Sequence, residues 1–215
     1  MPDTWQGYVK ICGVTSVEDA NMVADAGATA LGLIFAESPR HLSIAQAREI
    51  AEATTGRLLR CAVFRHDSDE FVVEHIDALG ADGVDIVQLH GELTAELLAA
   101  LRERPVSIVK ALNIEAAEFD DFDETSVDAV MVDGGKPGSG QPHSWERLRT
   151  RRFRVPVIAA GGLNPDNVEE IVHSTGVAGA DCASGVETSP GIKDPELVAR
   201  FVANAHRALS RVEAS

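Results

Sequence analysis

Eight apolar runs rich in β-branched residues alternate with helical segments along almost the whole chain. Seven of these segments have the apolar spacing of an amphipathic helix, and one, the acidic stretch Glu115 to Phe122, is weak. The runs are mostly continuous in apolar character, which is typical of parallel strands covered by helices. Right-handed crossovers then leave an open doubly wound sheet or a closed barrel. Eight units in 215 residues favour the barrel, so the sequence predicts the α/β class and a single (β/α)8 TIM barrel domain over residues 1–215.

The loop after the first run argues against the open sheet. An open dinucleotide-binding sheet usually carries G-x-G-x-x-G after its first strand. Here that loop reads Cys12-Gly13-Val14-Thr15, and the glycines instead collect after runs six to eight. Catalytic residues of such barrels lie at the carboxyl ends of the strands, so we expect the functional site there.

The chain is strongly acidic, with 34 acidic and 19 basic side chains and a formal net charge of −15. Such a field repels a phosphate backbone and an anionic membrane, so neither nucleic acid nor a membrane is an expected partner. A small anionic ligand would need a locally positive pocket made by a few Arg or Lys residues and helix N-termini. No apolar run approaches the roughly 18 residues of a membrane span, and the first residues do not form a signal-peptide pattern. We expect a cytoplasmic protein that is a monomer or a homodimer.

Three cysteines, Cys12, Cys61 and Cys182, fall within predicted strands. Their odd number and wide spacing indicate neither a disulfide framework nor a metal site, which fits a reducing compartment. Cys61 and Cys182 are interpreted as small apolar core residues. The histidines at 66, 143 and 173 lack metal-ligand spacing, so no metal is expected.

Two strand-end residues form a candidate acid–base pair. Cys12 follows Lys10 by two positions, so strand alternation sends both side chains toward the same side, where the ammonium is expected to raise the thiolate fraction. Asp133 ends the sixth run, beside a Gly-rich loop over residues 134–140, in a place that suits a general acid. An aspartate that braces this loop is the alternative. If Cys12 and Asp133 face each other across the barrel mouth, their arrangement predicts acid–base chemistry on one substrate.

Two anion sites are predicted near this pair. Gly161 and Gly162 end the seventh strand, and Ser184 and Gly185 follow the eighth, which is the usual phosphate position in barrels of this kind. Glycine lets backbone N–H groups approach an anion closely, and the next helix adds a partial positive charge. Arg40, after Pro39, is a candidate carboxylate clamp through its planar guanidinium, a solvated surface charge being the alternative.

Gln88 and His90 share a face at the end of the fourth strand. They are weaker candidates to line the same cavity, because His90 could instead bond a neighbouring loop.

In combination, these motifs resemble the phosphoribosylanthranilate isomerase family. The matching segments span nearly the whole chain in order, and they are Lys10-Ile11-Cys12-Gly13-Val14-Thr15 with Glu18-Asp19-Ala20, Ser38-Pro39-Arg40, Val87-Gln88-Leu89-His90-Gly91, Ala160-Gly161-Gly162-Leu163, Ser184-Gly185-Val186-Glu187 and Pro190-Gly191-Ile192-Lys193-Asp194. No single segment is specific, but their ordered combination is.

The resemblance implies an Amadori rearrangement in tryptophan biosynthesis that needs no cofactor. N-(5-phosphoribosyl)anthranilate would be converted to 1-(2-carboxyphenylamino)-1-deoxyribulose 5-phosphate, an aldose–ketose isomerisation. By the resemblance, Asp133 acts as general acid on the ribose ring oxygen, and Cys12, as thiolate, acts as general base at C2 of the sugar. Arg40 would hold the anthranilate carboxylate and Asp181 a ribose hydroxyl. The phosphate would bind to the backbone of Gly161, Gly162, Ser184 and Gly185.

The chain departs from the family pattern at four places. Arg65-His66 stands where the family usually has Val-Asn, Gly135-Lys136-Pro137-Gly138-Ser139-Gly140 replaces Gly-Gly-Thr-Gly, His143-Ser144-Trp145 replaces Phe-Asp-Trp, and Ala183 replaces the first of two serines. These differences concern closure of the sixth loop and fine substrate positioning.

Two other functions are weighed against this one. A related barrel isomerase acting on a histidine-pathway aminoaldose, or on both substrates, would share the phosphate loops but has Asp where Cys12 stands. A noncatalytic barrel that binds phosphoryl ligands would be favoured by loss of Cys12 or Asp133, and both are present.

Overall fold

The computed structural model describes residues 5–65, 67–134 and 144–212. Within these residues, parallel strands pair in sequence order, and the eighth also pairs with the first. Tyr8 lies beside Gly179 and Lys10 beside Asp181 in that closing register. The predicted (β/α)8 barrel is therefore confirmed and the open sheet is wrong. The strands are β1 (Tyr8–Cys12), β2 (Ala30–Ile34), β3 (Leu59–Phe64), β4 (Ile86–Leu89), β5 (Ser107–Asn113), β6 (Ala129–Asp133), β7 (Val157–Ala160) and β8 (Gly179–Cys182).

Helices alternate with the strands, and several begin after a Ser or Thr whose side chain caps the helix. In the described ranges they are α1 (Val17–Asp25), α2 (Ile44–Ala53), α3 (Asp69–Leu79), α4 (Ala95–Arg102), α5 (Glu118–Asp121), α6 (Ser144–Thr150), α7 (Val168–Thr175) and α8 (Pro195–Val212). The Ser43 hydroxyl accepts from the Gln46 N–H, and the Ser43 N–H donates to the Gln46 side chain. Ser68 and Thr94 cap α3 and α4 by the same hydroxyl contact. These side chains satisfy backbone donors that a helix start leaves unpaired.

The sequence predicts a helix from Asp166 to His173, and α7 starts two residues later than that. The Asn164 side chain accepts hydrogen bonds from the N–H groups of Asp166 and Asn167. This local turn competes with helix formation, as Asn side chains commonly do. The first helical residue is therefore Val168 rather than Asp166.

The predicted weak fifth helix is also shorter in the structure. Only four residues, Glu118–Asp121, are helical, and the 3-10 helix Glu124–Ser126 follows. The Asn113 side chain accepts from the Glu115 N–H, so the segment starts as a turn.

Side chains of the barrel strands divide into two packing layers. Along β1, Val9 and Ile11 pack with the helices, whereas Tyr8 and Cys12 belong to a separate cluster formed largely by alternate strand residues. This division follows from the two-residue period of a strand. It places the last residues of β1 and β6, Cys12 and Asp133, on the inner side of the barrel mouth.

A short antiparallel hairpin follows β8. The 3-10 helix Ser184–Val186 leads into β9 (Glu187–Ser189), and β10 (Ile192–Lys193) returns beside it. The turn at Ser189-Pro190-Gly191 joins the two strands. The Thr15 hydroxyl donates to the Gly191 carbonyl at 2.7 Å, which ties the hairpin to the loop after β1.

No helix in the described ranges combines the length and the hydropathy that crossing a membrane requires.

Candidate active site

A cavity of about 340 Å³ opens at the carboxyl end of the barrel. Its lining includes Cys12, Asp133, Arg40 and Asp181, which are four of the predicted site residues. Gly161, Gly162 and Ser184 also line it, so three of the four predicted phosphate-binding residues lie in the same cavity. The structure therefore brings the predicted acid, base and anion-binding groups into one space.

A buried ion pair joins the first and last barrel strands. Lys10 is 0% exposed, and its Nζ lies 2.7 Å from Asp181 Oδ1. Burial lowers the Lys10 pKa, but Asp181, Cys12 and Cys61 raise it more, so the net shift is upward and the ammonium stays charged. Asp181 is thus held by a cation at the cavity edge.

Cys12 lies beside this ion pair, as the two-residue spacing predicts. Burial raises the pKa of its thiol and Lys10 lowers it, and the net shift is upward. The expected gain in thiolate fraction is therefore wrong, because the effect of burial on the pKa outweighs that of the ammonium. Gly32 of β2 makes room for the thiol, since a Cβ there would lie 2.7 Å from Cys12 Sγ.

Asp133 ends β6 in register with Ala160, the last residue of β7. The Gly134 N–H donates to the Ala160 carbonyl at 2.8 Å, which fixes the turn that follows the carboxylate. Gly161 has φ +82°, and a Cβ there would collide with Asp133 Oδ1. Glycine at 161 therefore allows both the left-handed turn and the close approach of the carboxylate.

Arg40 is not a solvated surface charge. Its Nε and Nη2 donate to the two carboxylate oxygens of Glu187 at 2.7 and 2.5 Å. Burial raises the Glu187 pKa, but Arg40 and Lys193 lower it more, so the net shift is downward and the carboxylate is ionised. Gly13, with φ +71°, lies directly against the Arg40 side chain, where a Cβ would not fit.

Gly185 differs from the other predicted phosphate residues because it is not among the lining residues. A Cβ on Gly185 would come to 3.0 Å from both Asn164 Cβ and Cys182 Sγ. Its backbone N–H lowers the pKa of the Cys182 thiol, although burial dominates and raises that pKa to about 12. Glycine at 185 thus serves close packing of the loops that follow β7 and β8.

The weaker candidates Gln88 and His90 both line the cavity. Gln88 Nε2 and His90 Nε2 lie 2.8 Å apart, and Gln88 is 2% exposed. Cys61, which we interpret from the sequence as a core residue, is buried, and its Sγ lies 3.7 Å from Gln88 Oε1. The predicted shared face at the end of β4 is therefore confirmed.

Sequence reasoning gave no role to Glu187, Lys193 or Gly32. Glu187 and Lys193 lie in segments that match the family, but a charge in a loop does not reveal which distant side chain it pairs with. The sequence signal for these two residues was that both follow the predicted phosphate loop at Ser184 and Gly185. Gly32 lies inside an apolar run, where an isolated glycine indicates close approach of another group.

Some predicted features lie outside the described residues. They are His66, His143 and the loop residues 135–140. Within the ranges that the structure does describe, no group of three His, Cys, Asp or Glu side chains could hold a metal ion.

We expect Lys10→Met to lower the free energy of unfolding by about 3–5 kcal/mol, because it leaves the buried Asp181 carboxylate without its cation. Urea unfolding measures the change. The double variant Lys10→Met/Asp181→Asn is the control, and it should recover most of the loss. A single-variant loss below about 1 kcal/mol would contradict a buried, coupled pair.

Comparison with known proteins agrees with the geometry. The family model described as N-(5'phosphoribosyl)anthranilate (PRA) isomerase matches residues 9–204. The N-(5'-phosphoribosyl)anthranilate isomerase of Rubrobacter xylanophilus is 37% identical over 206 residues, which cover 92% of this chain and 98% of the relative.

Solved structures of the same family have the same fold. The phosphoribosyl anthranilate isomerase of Thermotoga maritima superposes with a TM-score of 0.80 at 30% identity, covering 92% of this chain and 98% of its own. A phosphoribosyl anthranilate isomerase in complex with reduced 1-(o-carboxyphenylamino)-1-deoxyribulose 5-phosphate has a TM-score of 0.77 at 30% identity, with 92% and 97% covered. The barrel, the arrangement of its mouth and these matches over nearly the full length agree, and the chain belongs to the N-(5'-phosphoribosyl)anthranilate isomerase family.

Proposed function

We propose that this enzyme converts N-(5-phosphoribosyl)anthranilate to 1-(2-carboxyphenylamino)-1-deoxyribulose 5-phosphate in tryptophan biosynthesis. The observation that carries the proposal is that Cys12 and Asp133 line one cavity, with Arg40 and two glycine-containing strand ends around them. A substrate with a phosphate at one end and a carboxylate at the other needs two separate anion sites with an acid and a base between them.

Asp133 is the general acid of the first step. In its protonated form the carboxyl donates a proton to the ribose ring oxygen, and the bond between that oxygen and C1 breaks. The nitrogen lone pair forms a C1=N bond, so the product of the step is an open-chain iminium ion. The close packing of Gly161 against Asp133 supports this role, because it holds the carboxyl at the cavity wall.

Cys12 is the general base of the second step. Its thiolate removes the proton from C2, and the electron pair of that C–H bond forms C1=C2 while the iminium nitrogen becomes neutral. The resulting enolamine gains a proton at C1 and loses one from the C2 hydroxyl, which gives the ketone. The iminium and the buried Lys10 ammonium, on the same face as the thiol, both favour the thiolate. No electrons leave or enter, so the reaction needs no redox partner.

The remaining predicted residues bind and orient the substrate. Asp181, fixed by Lys10, accepts a ribose hydroxyl. Arg40 binds the anthranilate carboxylate. Backbone N–H groups at Gly161, Gly162 and Ser184 hold the phosphate, and Gly185 allows close packing of the loops after β7 and β8.

The activity is tested with purified protein and freshly made phosphoribosylanthranilate, followed by loss of anthranilate fluorescence. The histidine-pathway aminoaldose is assayed beside it. Turnover of the anthranilate substrate with little or none of the other supports the proposal. Turnover of only the histidine-pathway substrate, or of neither, would contradict it.

We expect Arg40→Lys to raise KM for phosphoribosylanthranilate about 10-fold and to leave kcat within about 3-fold. A planar guanidinium can bind Glu187 along one edge and the substrate carboxylate along another, whereas an ammonium is a point charge with no such edges. Steady-state fluorescence kinetics measure both constants. Arg65→Lys is the matched control, because Arg65 also lines the cavity and has no assigned role. An unchanged KM in Arg40→Lys would remove Arg40 from the substrate site.

A further inference from the structure

Three charged side chains, two of them buried, form a chain of ion pairs beside the cavity. Glu187 accepts two hydrogen bonds from Arg40, and Lys193 Nζ donates to Glu187 Oε1 at 2.8 Å. The side chains of Lys193 and Glu187 are 0% and 3% exposed. Two cations share one carboxylate, so the cluster retains one positive charge in a chain whose net charge is −15. Arg40, one of the two cations, lines the cavity.

The way Glu187 binds Arg40 determines which part of the guanidinium faces a ligand. A guanidinium can bind a carboxylate along its Nε–Nη2 edge or along its Nη1–Nη2 edge. Glu187 occupies the first edge in a bidentate pair. In the described part of the chain Nη1 makes no hydrogen bond, and Arg40 lines the cavity. Because the group is planar, fixing one edge also fixes the direction of the other.

Lys193 joins this pair to the two strand ends at the mouth. Its Nζ donates to the Cys12 carbonyl at 2.6 Å and to the Ala183 carbonyl at 3.2 Å. Cys12 ends β1, and Ala183 precedes Ser184 of the proposed phosphate loop. One ammonium therefore fixes the backbone that carries the proposed base, the start of the phosphate loop and the carboxylate that holds Arg40.

Stability alone does not account for such a cluster. Replacing buried ion pairs with packed apolar side chains is often neutral or stabilising, so burial of the Glu187–Lys193 pair is weak support for a stabilising role. Their convergence on three groups of one cavity is explained if they set its geometry, because misplacement by about 1 Å can cost about 100-fold in rate.

We propose that Glu187 and Lys193 are positioning residues of this isomerase, with Glu187 holding Arg40 so that its free edge selects an aromatic amine bearing a carboxylate. The inference rests on the proposed function. Glu187 does not touch the substrate in this arrangement, and its effect passes through Arg40. Lys193 keeps the carboxyl end of β1 in register with the loop after β8.

The test measures binding of two ligands to wild type and Glu187→Gln by titration calorimetry. One ligand is reduced 1-(o-carboxyphenylamino)-1-deoxyribulose 5-phosphate, and the other is the same molecule without its carboxylate. Glutamine keeps the size of the side chain but loses its charge and one acceptor oxygen. We expect Kd for the carboxylated ligand to rise about 10-fold and Kd for the other to stay within about 2-fold.

Two further variants separate positioning from a general loss of structure. In an Arg40→Met background, adding Glu187→Gln should cause no further loss of affinity for the carboxylated ligand, because the group it positions is gone. Glu187→Asp keeps the charge but shortens the side chain, so it should weaken binding of the carboxylated ligand selectively. It replaces the Gln variant in the test if that variant does not fold. Thermal unfolding of each variant verifies folding.

The outcomes distinguish this inference from the proposed function. Equal weakening of both ligands, or no weakening of either, would overturn the positioning role. Additive losses in the Arg40→Met background would overturn it too. If wild type binds the carboxylated ligand selectively through Glu187 but does not turn over phosphoribosylanthranilate, the proposed activity fails while the positioning role stands.

Discussion

Asp133→Asn is expected to lower kcat by about 10²- to 10⁴-fold, the usual contribution of a general acid. Asparagine has nearly the same shape, so the contact with Gly161 is retained while the transferable proton is lost. Ring opening then depends on water, and the fall should appear in kcat and in kcat/KM together. Fluorescence kinetics under saturating substrate measure it.

The matched control for this change is Glu37→Gln, an exposed carboxylate among the cavity-lining residues to which no role is assigned. It should leave kcat within about 3-fold, since an exposed charge is screened by solvent. Thermal unfolding of both variants should match wild type closely. Near-normal turnover by a folded Asp133→Asn variant would reject Asp133 as the acid.

Cys12→Ser is expected to lower kcat by at least about 100-fold, because a hydroxyl is far less acidic than a thiol and cannot act as an anionic base near neutral pH. Cys61→Ser is the control. It makes the same change of sulfur to oxygen at a buried strand position whose contact is Gln88 rather than the proposed reacting centre. Turnover of Cys61→Ser within about 5-fold of wild type, beside a large loss in Cys12→Ser, would assign the loss to the base.

The reactivity of Cys12 should depend on pH because of its shifted pKa. Burial raises the pKa of Cys12, and Lys10 offsets only part of that shift. Iodoacetamide reacts with the thiolate and not with the thiol, so the rate of alkylation at Cys12, followed by peptide mass spectrometry, should increase as pH rises through the alkaline range toward the raised pKa. An alkylation rate that is already independent of pH near neutrality would contradict the raised pKa.

Much of the fold could be predicted from local pattern because local chemistry determines it. Ser43 and Thr94 start helices through their own hydroxyls, and β-branched runs form parallel strands whichever neighbour they pair with. The differences between the predicted and observed helix starts also have local causes. The Asn164 side chain bonds nearby N–H groups and delays α7, a competition that apolar periodicity does not record.

In the candidate site, too, some features follow from local pattern and topology, and others depend on contacts between distant residues. Cys12 and Asp133 could be predicted because the barrel places every strand end at one mouth, so their positions follow from topology. The partner of Arg40 could not, since Glu187 is 147 positions away and its pairing depends on the hairpin after β8. The raised pKa of Cys12 was also missed, because the spacing from Lys10 indicates a charge nearby but not how little water remains.

The ion pair between Lys10 and Asp181 has a consequence for synthesis of the chain. The two residues are 171 positions apart, so Lys10 leaves the ribosome long before its counterion is made. Until then the ammonium keeps its water shell, because dehydrating an unpaired charge is costly. In nascent chains that end before β8, burial of this ammonium is therefore costly. Water can leave the barrel interior around Lys10 only when the last βα unit has supplied Asp181.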